Sequence, residues 1–171
     1  MNIDILKVIG IFILLLLAQA MVFNHIHLFN CATPLPYVYV AMLFRRDFPR
    51  WGVLVMSFAM GLSVDIFSNT PGLASASMTL IGLLQPILLV LFLPRESPAN
   101  LVPSMRSLGT EKFIWFSLIL LFVYCLTFFA LEAFNFNNWL QWLMTAVGSF
   151  VVTGILLLAM EFFRCRMEGR V

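Results

Sequence analysis

The sequence predicts an all-α integral membrane protein with six transmembrane helices and both termini in the cytoplasm. Its composition carries the first part of this prediction, because 62% of the residues are hydrophobic and only 11% are charged. Soluble domains are about half apolar and about a quarter charged. A soluble chain of this composition would leave large apolar patches uncovered. The lengths of the apolar runs and the positions of the charges carry the rest of the prediction.

The apolar runs are interpreted as one transmembrane domain, residues 1–171. A helix rises about 1.5 Å per residue, so about 20 apolar residues cross a bilayer. The second run is the shortest, and Pro34 and Pro36 near its start favour a short or broken helix. Ala18-Gln19-Ala20 looks like a signal-peptide cleavage site, but few basic residues precede it and further spans follow, so we expect the first helix to be retained. The predicted spans are residues 5–23, 30–44, 51–68, 73–93, 113–133 and 142–163.

The basic residues divide the loops into two groups. With six spans, the two termini and the loops 45–50 and 94–112 lie on one side, which holds all 10 Lys and Arg residues. The loops 24–33, 68–72 and 134–141 hold none. By the positive-inside rule, the basic side is the cytoplasm, where these cations also attract anionic lipid. The residues expected to contact a cytoplasmic partner or lipid head groups are Arg45, Arg46, Arg50, Arg95 and Arg106.

Residues 51–93 are predicted to form a tight antiparallel hairpin of two helices joined by the turn 68–72. Small and polar residues recur at helical spacing in both helices, and such stripes let two backbones approach closely in lipid. The first stripe comprises Ser57, Gly61, Asp65 and Asn69, and the second comprises Gly72, Ser75, Ala76, Thr79, Gly82 and Pro86. We expect helix packing or partner binding to involve Ser57, Gly61, Asp65, Asn69, Gly72 and Gln85.

Asp65 is the acidic residue with two open interpretations. An ionisable group this close to the membrane core is costly, so it is expected to pair across helices or to contact a partner. Alternatively, it reaches interfacial water or caps the next helix, whose N-terminal dipole favours an anion. Glu132 and Glu161 are expected to be interfacial, with Glu161 able to pair with Arg164 at helical spacing. The proline after Gln85 predicts a structural kink, and Gln85 could satisfy the freed carbonyl or line a cavity.

Motifs for chemistry are missing from the sequence. His25, His27 and Cys31 make only a weak case for a metal site, because a fourth ligand is not evident and loop surface residues are the simpler account. The chain has no phosphate-binding glycine loop and no paired carboxylates within a span. Its three cysteines do not suggest a disulfide framework. We therefore expect no enzyme activity, no metal and no cofactor.

Two stretches of the sequence carry a family resemblance. The first is Gly61-Leu62-Ser63-Val64-Asp65-Ile66-Phe67, followed by Pro71-Gly72-Leu73 at the start of the next helix. The second is Thr33-Pro34-Leu35-Pro36 before the short second span. In these stretches, and in its size and number of spans, the chain resembles the bacterial rod shape-determining MreD family. That family typically shows Gly-x-x-x-Asp, a short turn, a glycine and small residues, and the specific part of the match covers residues 58–86.

The resemblance implies a non-enzymatic scaffold of the peptidoglycan elongation machinery, which maintains rod cell shape from the bacterial inner membrane. The implied partners are an MreC-like periplasmic protein, MreB, RodA, a penicillin-binding transpeptidase and membrane lipids, with no nucleic acid. The outer half near Asp65 would be available to MreC or the synthases, and the basic loops would face MreB or lipid.

A second hypothesis follows from the fold that the resemblance implies. MreD-like proteins are similar in fold to the S components of energy-coupling-factor transporters, which bind small vitamins in the membrane. Such a site needs several convergent polar groups, and this chain offers only Asp65, Asn69, Gln85 and some hydroxyls. Ala18 and Ala20 in the first helix are spaced by two residues instead of four, which departs from the S-component pattern.

Overall fold

The computed structural model describes residues 2–21, 34–70, 72–93, 101–132 and 139–168. These residues form helices and short connections, with no β-strand among them. A single 3₁₀ turn, Pro36–Val38, directly precedes the second helix. The helices are α1 (Asn2–Met21), α2 (Tyr39–Met42), α3 (Arg50–Ser68), α4 (Leu73–Phe92), α5 (Met105–Leu108), α6 (Thr110–Glu132) and α7 (Trp139–Glu168).

Four of the described helices are long and apolar enough to cross a membrane, which supports a multi-pass membrane protein. They are Arg50–Ser68, Leu73–Phe92, Thr110–Glu132 and Leu143–Met167. Their bounds lie within a few residues of the predicted third to sixth spans. Helix α1 is 20 residues long and overlaps the predicted first span over residues 5–21. The count of six spans and the cytoplasmic side of the termini stay predictions.

Helices α3 and α4 pack in antiparallel directions with close backbone contact. A Cβ atom placed on Gly61 would lie 2.5 Å from the Cα atom of Ser75. One placed on Gly82 would lie 2.7 Å from the Oγ atom of Ser57. The later residue of α3 thus meets the earlier residue of α4, as in the hairpin predicted over residues 51–93. Small residues at both contacts allow the two backbones to approach.

Residues 34–44 lie in the second predicted span, residues 30–44, for which a short or broken helix was expected. Helical structure in this segment is limited to the 3₁₀ turn and to α2, whose four residues rise only about 6 Å. Every residue from 34 to 44 is buried, in contact with α1, α4 and α7. Irregular backbone at membrane depth is tolerated where protein surrounds it. The prolines thus lie at the start of a broken, enclosed segment, and residues 30–33 lie outside the described part of the chain.

The described helices have two ends of different chemistry. At the first, which we call the basic end, residues 45–50, 101–112 and 161–168 meet. The Arg46 N–H donates to the Leu101 carbonyl at 3.2 Å, and these loops carry most of the described Lys and Arg residues. At the other, the hairpin end, α3 ends and α4 begins. Helix α6 runs from the basic end for 23 residues, about 34 Å, so Glu132 lies at the level of the hairpin end.

Candidate functional site

Asp65 caps the first turn of α4 from the preceding helix. Its Oδ1 atom accepts a hydrogen bond from the Ala74 N–H at 2.8 Å, and its Oδ2 atom accepts one from the Ser75 N–H at 2.9 Å. The Thr70 hydroxyl donates to Oδ1 at 3.1 Å. Gly72, the residue before α4, has no side chain to cap these N–H groups. A carboxylate here satisfies donors that a helix N-terminus leaves unpaired and complements its dipole.

The turn between α3 and α4 is shaped by two residues in left-handed conformations. Asn69 has φ 54° and follows the last residue of α3, while Gly72 has φ 88° and precedes α4. Asparagine tolerates this region better than most residues, and glycine enters it without strain. Asn69 is therefore outside the helix and exposed, so the predicted stripe ends at Asp65. The turn directs the Ala74 and Ser75 N–H groups toward the Asp65 carboxylate.

The predicted small-residue stripes are buried only in part. Ser57, Gly61 and Asp65 on α3 are buried, as are Ser75 and Gly82 on α4. The hydroxyl of Ser57 has no hydrogen-bond partner among the described residues and lies against Gly82. On α4, Ala76 and Gly72 are exposed, while Thr79 and Pro86 are half-buried. Helix α4 therefore turns a different arc inward from the predicted one, and buries Ala74, Ser75, Ser77, Met78, Ile81, Gly82, Gln85 and Leu89.

Side chains from two long helices satisfy the backbone of the buried segment 34–44. The Gln85 Nε2 atom donates to the Phe44 carbonyl at 3.2 Å. The Leu35 N–H donates to the Thr153 hydroxyl at 3.1 Å. Gln85 thus bonds to a residue remote in sequence, whereas the sequence suggested the carbonyl freed by Pro86 or a cavity. Because a buried backbone group without a partner is costly, these contacts make the irregular segment compatible with burial.

Thr153→Val is expected to lower the free energy of unfolding by about 1–3 kcal/mol, because it leaves the buried Leu35 N–H without an acceptor. The measurement is thermal or denaturant unfolding of the purified protein in detergent. Thr127→Val is the matched control, since the Thr127 hydroxyl donates only to carbonyls of its own helix, Val123 and Tyr124. Equal effects of the two substitutions would contradict the role of Thr153.

A second buried carboxylate, Glu161, lies at the basic end and was expected at the interface. Its exposed fraction is 0%, so it is enclosed by protein at that end. The Tyr39 hydroxyl donates to its Oε2 atom at 2.5 Å, and the Arg164 guanidinium lies 3.2 Å from the same oxygen. The predicted pairing with Arg164 is thus confirmed, but within the protein. Arg164 also donates to the Tyr39 hydroxyl at 3.1 Å, so the three groups form a closed network.

This network holds the segment before α6 against α7. The Glu161 Oε1 atom accepts the Met105 N–H at 3.1 Å, at the start of α5, and Arg164 donates to the Pro103 carbonyl at 3.3 Å. Ser104 and Ser107 complete a capping box on α5. Both carboxylates of the candidate site therefore bind the start of a helix, Asp65 at the hairpin end and Glu161 at the basic end.

The tyrosines of the buried core were not predicted from the sequence. The hydroxyls of Tyr37 and Tyr124 share a hydrogen bond, and their rings meet edge to face with centroids 5.9 Å apart. Tyr39 reaches the Glu161 network instead. The only sequence hint was that two tyrosines, spaced by two residues, occupy an apolar run too short for a span.

The remaining candidate residues lie away from these clusters. Arg50 and Arg106 are exposed, and Arg45 and Arg46 are half-buried, all at the basic end. Arg95 lies outside the described residues, as do His25, His27 and Cys31. Within the described ranges, no group of three or more His, Cys, Asp or Glu side chains could hold a metal ion. Cys125 and Cys165 are free thiols.

Comparison with known proteins finds no relative of this chain. The chain matches no protein-family model, no curated protein and no solved structure at a significant level. Its candidate function therefore depends on the geometry above and on the sequence resemblance. In the candidate site, side-chain acceptors bond to the N–H groups at helix starts, and side-chain donors and acceptors bond to buried backbone groups.

Proposed function

We propose that this chain is a non-enzymatic membrane scaffold, which acts by binding other proteins of the cell-wall elongation machinery in the bacterial inner membrane. The observation that carries the proposal is that Asp65 and Glu161 each use both carboxylate oxygens on donors of the same chain. Because these two carboxylates bond within the chain, they hold the helices together and are not available to a ligand. Partners would then bind at the surface of the bundle. The sequence resemblance to the MreD family over residues 58–86 supplies the identity of the machinery.

The two ends of the bundle suit different partners under this proposal. The hairpin end, where Asp65 caps α4, would face an MreC-like periplasmic protein and the outer parts of RodA and a penicillin-binding transpeptidase. The basic end presents Arg45, Arg46 and Arg106 in its loops and would face MreB. Under this proposal, the scaffold would lie between the filament on one side of the membrane and the synthases on the other.

Vitamin binding, the rival hypothesis, receives less support from the same contacts. An S component needs several polar groups that converge on a ligand. Asp65 instead caps α4, Gln85 donates to the Phe44 carbonyl, and Asn69 is exposed in the turn. We therefore keep the scaffold as the proposed function.

Asp65→Ala is expected to weaken complex formation and rod-shape control more than Glu132→Ala, because only Asp65 holds the turn at the hairpin end. The measurement is complementation of cell shape in a rod-shaped host that lacks its own scaffold. It is combined with affinity purification in a gentle detergent and identification of the proteins recovered. Membrane abundance of each variant is quantified so that loss of protein is separated from loss of binding.

Recovery of an MreC-like protein or wall synthases with the unmodified chain would support the scaffold. Equal effects of the two substitutions at equal abundance would remove the special role of Asp65. Recovery of an ATPase pair with its coupling membrane protein, or of a bound vitamin, would overturn the scaffold in favour of transport.

A further inference from the structure

Three helix ends at the basic end each combine an exposed cation with exposed aromatic rings. Helix α3 begins with Arg50 and Trp51, and α6 carries Lys112 and Trp115 in its first turns. Helix α7 carries Arg166 one turn after Phe162 and Phe163. All three cations are exposed. The exposed fractions of the rings are 71% for Trp51, 58% for Trp115, 58% for Phe162 and 62% for Phe163.

These three pairs lie at one level of the bundle. The loop before α3 is bonded to the segment before α6, through the Arg46 N–H and the Leu101 carbonyl. The end of α7 is bonded to the same segment, through Arg164 and the Pro103 carbonyl. In α6 and α7, the spacing of three or four residues puts each cation on the same helix face as its ring. We call the set the cation–aromatic rim.

The opposite end has a different surface. Large side chains exposed near it include Ile66, Phe67 and Leu131, and its described acids are Asp65 and Glu132. The sequence places no Lys or Arg in residues 51–93 or 113–163. At the basic end, the exposed carboxylates Asp47 and Glu111 offset only part of the positive charge. The two ends therefore differ in the sign of their charge.

We propose that the cation–aromatic rim binds the head groups of anionic phospholipids and gathers them around the basic end. Amphipathic indole rings favour the head-group level, and a cation at the same level meets the phosphate of a lipid whose chains pack against the ring. Guanidinium groups match phosphate oxygens in geometry as well as in charge. We expect an acidic head group to bind at the rim because positive charge is concentrated at the basic end and depleted at the hairpin end. This inference does not depend on the proposed scaffold function.

Quenching of tryptophan fluorescence by brominated lipids tests the proposal on the full chain. The double variant W139F/W142F keeps only Trp51 and Trp115, and W51F/W115F keeps only the tryptophans at the start of α7. Each protein is reconstituted in phosphatidylcholine vesicles that contain the same mole fraction of brominated phosphatidylglycerol or brominated phosphatidylcholine. At low salt, we expect the anionic lipid to be enriched roughly fivefold around Trp51 and Trp115. For the tryptophans at the start of α7, we expect a ratio near one.

The decisive control neutralises the rim in the first background. R50Q, K112Q and R166Q together should bring the ratio at Trp51 and Trp115 close to one. Because these side chains are exposed, the bundle is expected to stay folded, and circular dichroism and gel filtration verify this. High salt should reduce the enrichment in the unmodified rim.

Three results would overturn the proposal. One is equal quenching by the two lipids in the unmodified rim. Another is an enrichment that persists in the neutralised protein. The third is protection of Trp51 and Trp115 from both lipids, which would show that a second copy of the chain covers the rim.

Discussion

Glu161→Ala is expected to lower the free energy of unfolding by about 3–5 kcal/mol, because it removes the buried partner of the Glu161–Arg164 ion pair. It also removes the acceptors of the Tyr39 hydroxyl and the Met105 N–H. The segment before α6 would then lose its contact with α7 at the start of α5. The measurement is the unfolding of purified variants in detergent, with protease cleavage in the 101–108 segment as a local readout.

Two comparisons isolate the network from the loss of a carboxylate as such. Glu132→Ala removes an exposed carboxylate at the far end of α6 and should change the unfolding free energy by about 0.5 kcal/mol or less. The double variant E161A/R164M should be more stable than E161A alone, because it removes both partners of the Glu161–Arg164 pair instead of one. Equal destabilisation by Glu161→Ala and Glu132→Ala would contradict the network as described.

Gly61→Ala is the second substitution with a large expected effect, a loss of about 1–3 kcal/mol. The added Cβ atom would lie 2.5 Å from the Cα atom of Ser75 and 2.6 Å from the carbonyl oxygen of Ala74. Helices α3 and α4 must then separate at this level. Since Ala74 and Ser75 supply the N–H groups that Asp65 accepts, the same movement weakens the cap.

Gly10→Ala provides the matched control, because it is the same substitution within a described helix. Gly10 on α1 is exposed, and a Cβ atom placed there would meet nothing within 4 Å. Its substitution should be neutral or slightly stabilising, since alanine favours helices more than glycine does. Thermal unfolding of both variants compares the two positions directly. A Gly61→Ala protein as stable as the Gly10→Ala protein would show that close backbone contact is not required.

The long helices were predictable because their signal is local. Apolar runs of about 20 residues define a span without knowledge of what packs against it, so α3, α4, α6 and α7 lie close to their predicted positions. Residues 34–44 show the limit of that criterion. Their apolar character predicted a position within the membrane. The two prolines and the short length did not predict that the segment packs against α1, α4 and α7.

The polar contacts of the candidate site were predictable only where they are short-range. The spacing of Glu161 and Arg164 predicted their pairing, and capping of α4 was one of the two interpretations of Asp65. The partner of Thr153 is 118 residues away, and that of Gln85 is 41 residues away. No periodicity encodes such pairs, because they depend on how the helices are arranged around one another.

The dependence of residues 34–44 on the last helix has a consequence for biosynthesis. The acceptor for the Leu35 N–H is made 118 residues later. At about 5–20 residues per second, that interval lasts roughly 6–24 s. During this interval, the Leu35 N–H lacks its final acceptor, and water or the insertion machinery must accept its hydrogen bond. The buried segment 34–44 therefore gains this contact only after Thr153 of α7 has been synthesised.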